Sequence, residues 1–292
     1  MFRGSIVALI TPMDQHGNID YDAFKRLIHW HLASGTHGIV VAGSTGESPS
    51  VTDAEWRKLI EIAVSEAHDK IPVIAGSGCN VTKYTVEKTR EAMQLGVDGC
   101  LIVTPYYNRP TQEGLYQHYQ TISDAVPIPI ILYNVPARTG CDMLPATVRR
   151  LKKTSNIVAI KEANPSNNRY QELVNECGDA LTVLTGNDPE TMDCLAAGGR
   201  GTISVTANVA PAKMAALYEA ALAGKMSEAA SIFKSLEKLN SALFIESNPI
   251  PVKWALYHLG KIPDSNARLP LTRLSEPYWP MVREALQEEA EM

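Results

Sequence analysis

One lysine ends a short apolar run. Across Asn156 to Ala163 the chain reads Asn-Ile-Val-Ala-Ile-Lys-Glu-Ala, and four apolar residues, Ile157 to Ile160, lead directly into Lys161. That pattern predicts a strand buried on both faces. A charged ammonium is costly to bury at its end, so a lowered pKa is expected there. At the reference value of about 10.4, only a few lysines in ten thousand are neutral at pH 7. Burial can lower the value by as much as ~3–5, enough to leave a useful fraction of free amine. Such an amine can form an imine with a carbonyl substrate. The competing reading is a structural ion pair. Alternation along a strand would point Ile157, Ala159 and Lys161 to one side and Glu162 to the other, which disfavours a Lys161–Glu162 pair.

Other groups suited to chemistry are scattered along the chain. Gly43-Ser44-Thr45-Gly46-Glu47 combines two glycines with two hydroxyls. Exposed N–H groups in such a loop suit a small carboxylate or a phosphate. The Gly-Lys-Ser/Thr ending of a nucleotide loop is missing, which favours a carboxylate. An ordinary glycine-rich turn is the alternative. Tyr106, Tyr107 and Tyr133 follow apolar runs, where a phenol can relay a proton or simply pack with its hydroxyl satisfied. Arg138, in Asn134-Val135-Pro136-Ala137-Arg138-Thr139-Gly140, is placed either to clamp a carboxylate or to make a surface or subunit ion pair. The seven histidines avoid these positions, and no set of strand-end His and carboxylate ligands stands out. Metal catalysis is therefore not expected, which leaves Lys161 as the carbonyl-capturing group.

The elements that must position these residues recur regularly. Apolar runs rich in strand formers fall at 5–11, 38–43, 72–78, 99–105, 129–136, 157–163, 181–187 and 201–207. Helical spacing lies between them, as in Phe24, Leu27, Ile28 and His31, or Trp56, Leu59, Ile60 and Ala63. Thr52 or Asp53 and Thr82 are expected helix caps. Eight strands alternating with helices predict a parallel sheet closed into a (β/α)8 TIM barrel. A doubly wound sheet would carry a glycine-rich turn after its first strand, and Thr11-Pro12-Met13-Asp14 is nothing like one. Helical patterns alone follow, at 211–222, 227–245, 250–260 and 277–287. Residues 1–222 are thus expected to form the barrel and 223–292 a C-terminal helical region packed on it. A barrel of this kind places functional groups at the C-terminal strand ends. That puts the Gly43–Glu47 loop, Tyr107, Tyr133, Arg138 and Lys161 on one face. Gly198-Gly199-Arg200-Gly201 precedes the last strand and is read as a turn on the opposite face.

Composition narrows the function class. Among 292 residues, 27 Lys and Arg face 32 Asp and Glu, a net charge of −5. This balance supports neither nucleic-acid binding nor attraction to anionic membranes. Five widely spaced cysteines without a Cys-x-x-Cys pair read as reduced thiols of a cytoplasmic protein. Met1-Phe2-Arg3-Gly4-Ser5 enters a short apolar stretch without the core of a signal peptide, and no run approaches transmembrane length.

Several of these stretches together resemble the dihydrodipicolinate synthase family. Gly43 to Glu47, Tyr133 to Gly140 and Ile160-Lys161-Glu162 match its three signatures, and Val103 to Asn108, Ile203 to Asn208 and Asn248 to Trp254 are similar to further family segments. The resemblance spans nearly the whole chain and implies the same barrel with C-terminal helices. It implies condensation of pyruvate with L-aspartate 4-semialdehyde to 4-hydroxy-tetrahydrodipicolinate, on the diaminopimelate route to lysine, with no metal or organic cofactor. By the same resemblance Lys161 forms the imine and Thr45 holds the pyruvate carboxylate. Tyr133 passes protons with Ser44 and with Tyr107 of a neighbouring subunit, and Arg138 binds the semialdehyde carboxylate. Gly186 and Ile203 match backbone positions lining the site. A tight dimer, usually within a homotetramer, is implied.

Two departures stand out. Ser44 replaces the family's usual threonine, which removes the methyl that fixes the hydroxyl rotamer. Asn164-Pro165 replaces Thr-Gly after the lysine, and is read as a helix N-cap followed by a first-turn proline. Ser48, Asn80 and Tyr106 match an effector site for lysine at the family's dimer interface. Trp56 and Tyr84 stand where lysine-sensitive relatives tend to carry histidine and glutamate, so weak or absent inhibition is expected. Two rival readings share much of this pattern. N-acetylneuraminate lyase or a 2-keto-3-deoxy sugar-acid aldolase would use the same lysine and tyrosine but generally lacks the Arg138 counterpart. A non-catalytic 2-oxo-acid binding module would not need the lysine, tyrosines and arginine together.

Overall fold

Short β-branched runs make the strands, and their burial on both sides is what a barrel wall requires. The computed structural model describes residues 2–67, 69–154, 156–164 and 168–291, with side chains up to residue 287. The strands are β1 (Gly4–Ala8), β2 (Gly38–Val41), β3 (Val73–Gly76), β4 (Gly99–Val103), β5 (Ile130–Asn134), β6 (Ile157–Glu162), β7 (Thr182–Thr185) and β8 (Gly201–Ser204). They pair in parallel in sequence order and close β8 onto β1. The expected (β/α)8 TIM barrel is the observed fold. Every expected run is longer than its strand, mostly at the C-terminal end. Those overhanging residues, such as Ala42 and Gly43 or Val135 and Pro136, leave the ladder to build the loops of the functional face.

The helices between strands are α1 (Tyr21–Ala33), α2 (Asp53–Ala67), α3 (Thr82–Gln94), α4 (Gln112–Ala125), α5 (Pro136–Thr139), α6 (Pro145–Leu151), α7 (Arg169–Cys177) and α8 (Thr191–Ala196). After β8 come α9 (Pro211–Leu222), α10 (Met226–Ala242), α11 (Ile250–His258) and α12 (Trp279–Glu291). Helix α10 packs against α9 and α12, and α11 against α12. Two cores result. Ile6, Val40, Ile74, Leu101, Ile131 and Ile203 fill the barrel interior, while Ile39, Val41, Leu132, Ile160 and Val183 face the helices.

Three local expectations are corrected. The ladder slips between β5 and β6: Ile130 pairs with Ile157 but Ile131 pairs with Ala159, so Val158 is an extra residue. Ile157 therefore joins the outer core while Ala159 and Val158 contact the inner one, and strict alternation resumes only from Ala159. Thr82 is the first residue of α3 rather than its cap, and its hydroxyl bonds His118 Nδ1 at 2.9 Å. Asn164 does not cap α7, which starts at Arg169 behind Asn168, and Pro165 lies outside the described residues. The cap expected at α2 is Thr52. Its hydroxyl accepts the Glu55 N–H at 3.3 Å while the Glu55 carboxylate takes the Thr52 N–H at 2.9 Å, a capping box.

Candidate active site

Strand register sets the centre of the site. Tyr133 on β5 pairs with Lys161 on β6, and Asn134 with Glu162 one step further. Inward alternation sends Tyr133 and Lys161 into the barrel, where Lys161 Nζ lies 4.2 Å from the Tyr133 ring centroid. Lys161 is 5% exposed, and among the described residues no carboxylate pairs with it. Glu162 points the other way, as alternation requires, so the two make no ion pair. Gly186, just past β7, leaves the space the lysine stem fills. A β-carbon there would lie 2.7 Å from Lys161 Cε. Ile203 on β8 is fully buried in the same interior cluster.

The loop after β2 is tightly folded. Ala42 and Glu47, neither of them glycine, hold φ of 53° and 57°. Such a conformation persists only where the surroundings fix it. Thr11 Oγ1 donates to Gly46 O at 2.8 Å, and Lys253 Nζ of α11 reaches the Glu47 carboxylate at 2.6 Å. Both members of that ion pair are essentially inaccessible. Burial pushes the Lys253 pKa down, against the pull of Glu47, which favours the charged form. Between those anchors the Ser44 and Thr45 N–H groups have no internal acceptor among the described residues. Free N–H groups in such a loop can hold a carboxylate.

A cavity of about 440 Å³ opens onto this centre, lined among others by Ser44, Ser48, Tyr106, Tyr133, Arg138 and Asn248. Lys161 and Thr45 lie one layer deeper, each touching a residue of the lining. Lys161 sits against Tyr133, and Thr45 Oγ1 accepts a bond from Asn248 Nδ2 at 3.0 Å. The carbonyl of the same Asn248 accepts from Arg138 Nη2 at 3.0 Å. Asn248 thus links the expected pyruvate and semialdehyde contacts. Its Oδ1 is buried without a partner among the described residues.

Not every expected site residue comes together within one chain. Tyr107 is 90% exposed with φ of 75°, outside the cavity, and no hydrogen bond joins the Ser44, Tyr107 and Tyr133 hydroxyls among the described residues. Ser48 and Tyr106 line the cavity, whereas Asn80 does not; its carbonyl accepts from Asn108 Nδ2 at 2.8 Å. Burial raises the Tyr106 pKa, with a smaller push from Cys79. Trp56 is buried beneath this region with its indole N–H on Gly76 O at 2.9 Å, and Lys88 Nζ lies over its ring. Sequence reasoning placed Asn248, Lys253 and Asn134 within family-like segments but gave none of them a role. A signal existed for Lys253: it is the one charged residue inside the otherwise apolar Ile250 to Leu256 turn, the composition of a helix buried all round.

This arrangement meets a matching family over its full length. A profile of the dihydrodipicolinate synthetase family matches residues 1–289. The chain belongs to the dihydrodipicolinate synthetase family. A 4-hydroxy-tetrahydrodipicolinate synthase of Alcanivorax borkumensis is 52% identical over 288 residues, covering 99% of this chain and 98% of its own. The crystal structure of the chloride-inhibited dihydrodipicolinate synthase of Acinetobacter baumannii with pyruvate is 43% identical. It superposes with a TM-score of 0.97, covering 100% of both chains. The dihydrodipicolinate synthase of Aquifex aeolicus is 45% identical with a TM-score of 0.96, covering 99% of this chain and 98% of its own. Like these relatives the chain is an enzyme, a lyase of the dihydrodipicolinate synthetase family. No described helix is long and apolar enough to cross a membrane.

Proposed function

We propose that the chain condenses pyruvate with L-aspartate 4-semialdehyde through a Schiff base on Lys161. The observation that carries this is the placement of Lys161: 5% exposed, without a carboxylate partner among the described residues, and against the phenol ring of Tyr133. An amine so placed is a nucleophile looking for a carbonyl, not half of an ion pair. The neutral amine attacks the pyruvate keto carbon, one proton is delivered through Tyr133 and water leaves, giving the protonated imine. Loss of a proton from the methyl carbon yields an enamine, which attacks the semialdehyde carbon. The semialdehyde amine then displaces Lys161 from the imine carbon, closing the ring and freeing the enzyme.

The other assignments are those the family resemblance implies, and what each group touches supports them. Thr45 and the free N–H groups beside it receive the pyruvate carboxylate. Tyr133 moves the protons, with Ser44 in the same cavity lining. Arg138, held by the Asn248 carbonyl, takes the semialdehyde carboxylate. Gly186 and Ile203 frame the reacting atoms. Residues 1–222 form the catalytic barrel and 223–292 a helical region that reaches back through Asn248 and Lys253. Tyr107 supports an assembly: a tyrosine 90% exposed in one chain is suited to complete the site of a partner copy. We take the enzyme as a cytoplasmic homotetramer built from tight dimers.

Ser48, Asn80 and Tyr106 are retained as an effector region that responds weakly to lysine. Lys88 lines the cavity there beside buried Trp56, so an ammonium ligand would meet a cation where it needs a carboxylate. The test of the main proposal is borohydride reduction in the presence of pyruvate. A covalent adduct mapped to Lys161 is expected, and turnover in a coupled assay with aspartate semialdehyde. No adduct would overturn the Schiff-base reading; an adduct without turnover of the semialdehyde would overturn the substrate.

A further inference from the structure

Directly behind the Tyr133–Lys161 row, a polar clamp joins the same two strands. Glu162 and Asn134 are both fully buried, on the side facing the helices. Asn134 Nδ2 donates to Glu162 Oε1 at 3.0 Å and to Oε2 at 3.1 Å. Glu162 Oε1 also accepts the Asn164 N–H at 2.8 Å, which ties down the first loop residues after the strand. The Glu162 carbonyl accepts the Gly186 N–H at 2.6 Å, fixing the glycine that makes room for the lysine stem. Asn134 is held in turn: its Nδ2 reaches Asp142 Oδ1 at 2.7 Å and its Oδ1 accepts the Met143 N–H at 2.9 Å. Arg169 closes the set with an ion pair to Asp142 at 2.6 Å.

A carboxyl group in this layer is not what packing alone would select. The neighbours Leu132 and Ile160 on the same outward side are apolar and fully buried. Apolar replacements of buried polar networks are often neutral or stabilising, so a satisfied network here points to specificity of position. We propose that Glu162, acting through Asn134, is a positioning residue that fixes Lys161 against Tyr133 for imine chemistry. This rests on the Schiff-base reading above. Neither residue touches substrate. They hold adjacent residues on paired strands, where a displacement near 1 Å costs on the order of 100-fold in rate.

The test compares three variants of the full-length enzyme with wild type in borohydride trapping with pyruvate and in steady-state turnover. Glu162→Met keeps the side-chain volume and removes both acceptors; Glu162→Asp keeps the charge but shortens its reach. Both are expected to lose on the order of 10- to 100-fold in kcat and in trapping rate. The pyruvate KM should change less, since the Thr45 loop is untouched. Glu162→Gln retains an oxygen for Asn134 and Asn164 and should recover most of the lost kcat. Wild-type kcat in Glu162→Met and Glu162→Asp, with a normal adduct on the wild-type enzyme, would overturn this proposal alone. Should Glu162→Met fail to fold, the Asp and Gln pair decides: equal loss in both would overturn it. No adduct on the wild-type enzyme would overturn the Schiff-base reading itself.

Discussion

Gly186 has no side chain because Lys161 occupies the space one would need. A β-carbon at Gly186 would stand 2.7 Å from Lys161 Cε and 3.0 Å from Ala163 Cβ. The contact relates the ends of β6 and β7, and it makes the reach of the lysine a property of its neighbour strand.

Gly186→Ala is therefore expected to push the lysine stem off its position. The enzyme should fold, and kcat should fall on the order of 100-fold, the penalty of a displaced reacting group. Adduct formation with pyruvate, followed by mass after borohydride, should slow in parallel. Wild-type trapping in Gly186→Ala would show that the stem has slack.

The Glu47–Lys253 pair should matter for stability and for the loop it braces. Lys253→Met leaves Glu47 buried with, among the described residues, only the Arg268 backbone N–H, at 3.0 Å, for support. Removing one partner of such a pair costs on the order of 3–5 kcal/mol. Thermal denaturation should show a markedly lower midpoint, and the pyruvate KM should rise as the Ser44–Thr45 loop loosens. An added Glu47→Leu change should restore much of the midpoint, because no charge is then left unpaired.

Glu162 gives stability a pH dependence with a definite sign. Burial raises its pKa to about 7, against the bonds from Asn134 and Asn164 and the charge of Arg169, with Asp142 adding to the rise. An unfolded chain loses this proton near pH ~4.3, so between there and about 7 the folded state binds more protons. Stability from this group is complete below that window, falls as pH rises through it, and is level above it. The total is on the order of 3 kcal/mol. Denaturant unfolding across pH 4 to 8 should show the slope in wild type, and Glu162→Gln should flatten it.

Tyr107 offers a test of assembly. Tyr107→Phe should leave the stability of a single chain within about 0.5 kcal/mol, since the side chain is solvent-facing there. Mixing unfolded Tyr107→Phe and Lys161→Ala subunits and refolding them together should regenerate activity in hybrid dimers. In such dimers one site has both an intact lysine and a tyrosine donated by the partner. Absence of any recovery would mean that each site is complete within its own chain.

Titration with L-lysine should leave activity largely intact below the millimolar range. Replacing Tyr84, which is 60% exposed, by Glu would supply a carboxylate near the effector region. Inhibition should then strengthen. Strong inhibition of the wild-type enzyme at micromolar lysine would mean that Trp56, Tyr84 and Lys88 do not weaken the effector site.

The primary sequence by itself determined the barrel, because eight apolar runs alternating with helical spacing leave few other ways to bury both faces of each strand. It marked Lys161 as the candidate reactive amine, since an ionisable residue at the end of such a run is conspicuous. Only the tertiary structure decided how that lysine is held. The bulge at Val158 resets the side alternation, and no periodicity announces an inserted residue. Asn248 and Lys253 reach the β2 loop across more than 200 residues of chain, and Asn134 meets Glu162 across a strand pair. Contacts of that kind depend on register and closure of the sheet, which local residue patterns do not encode.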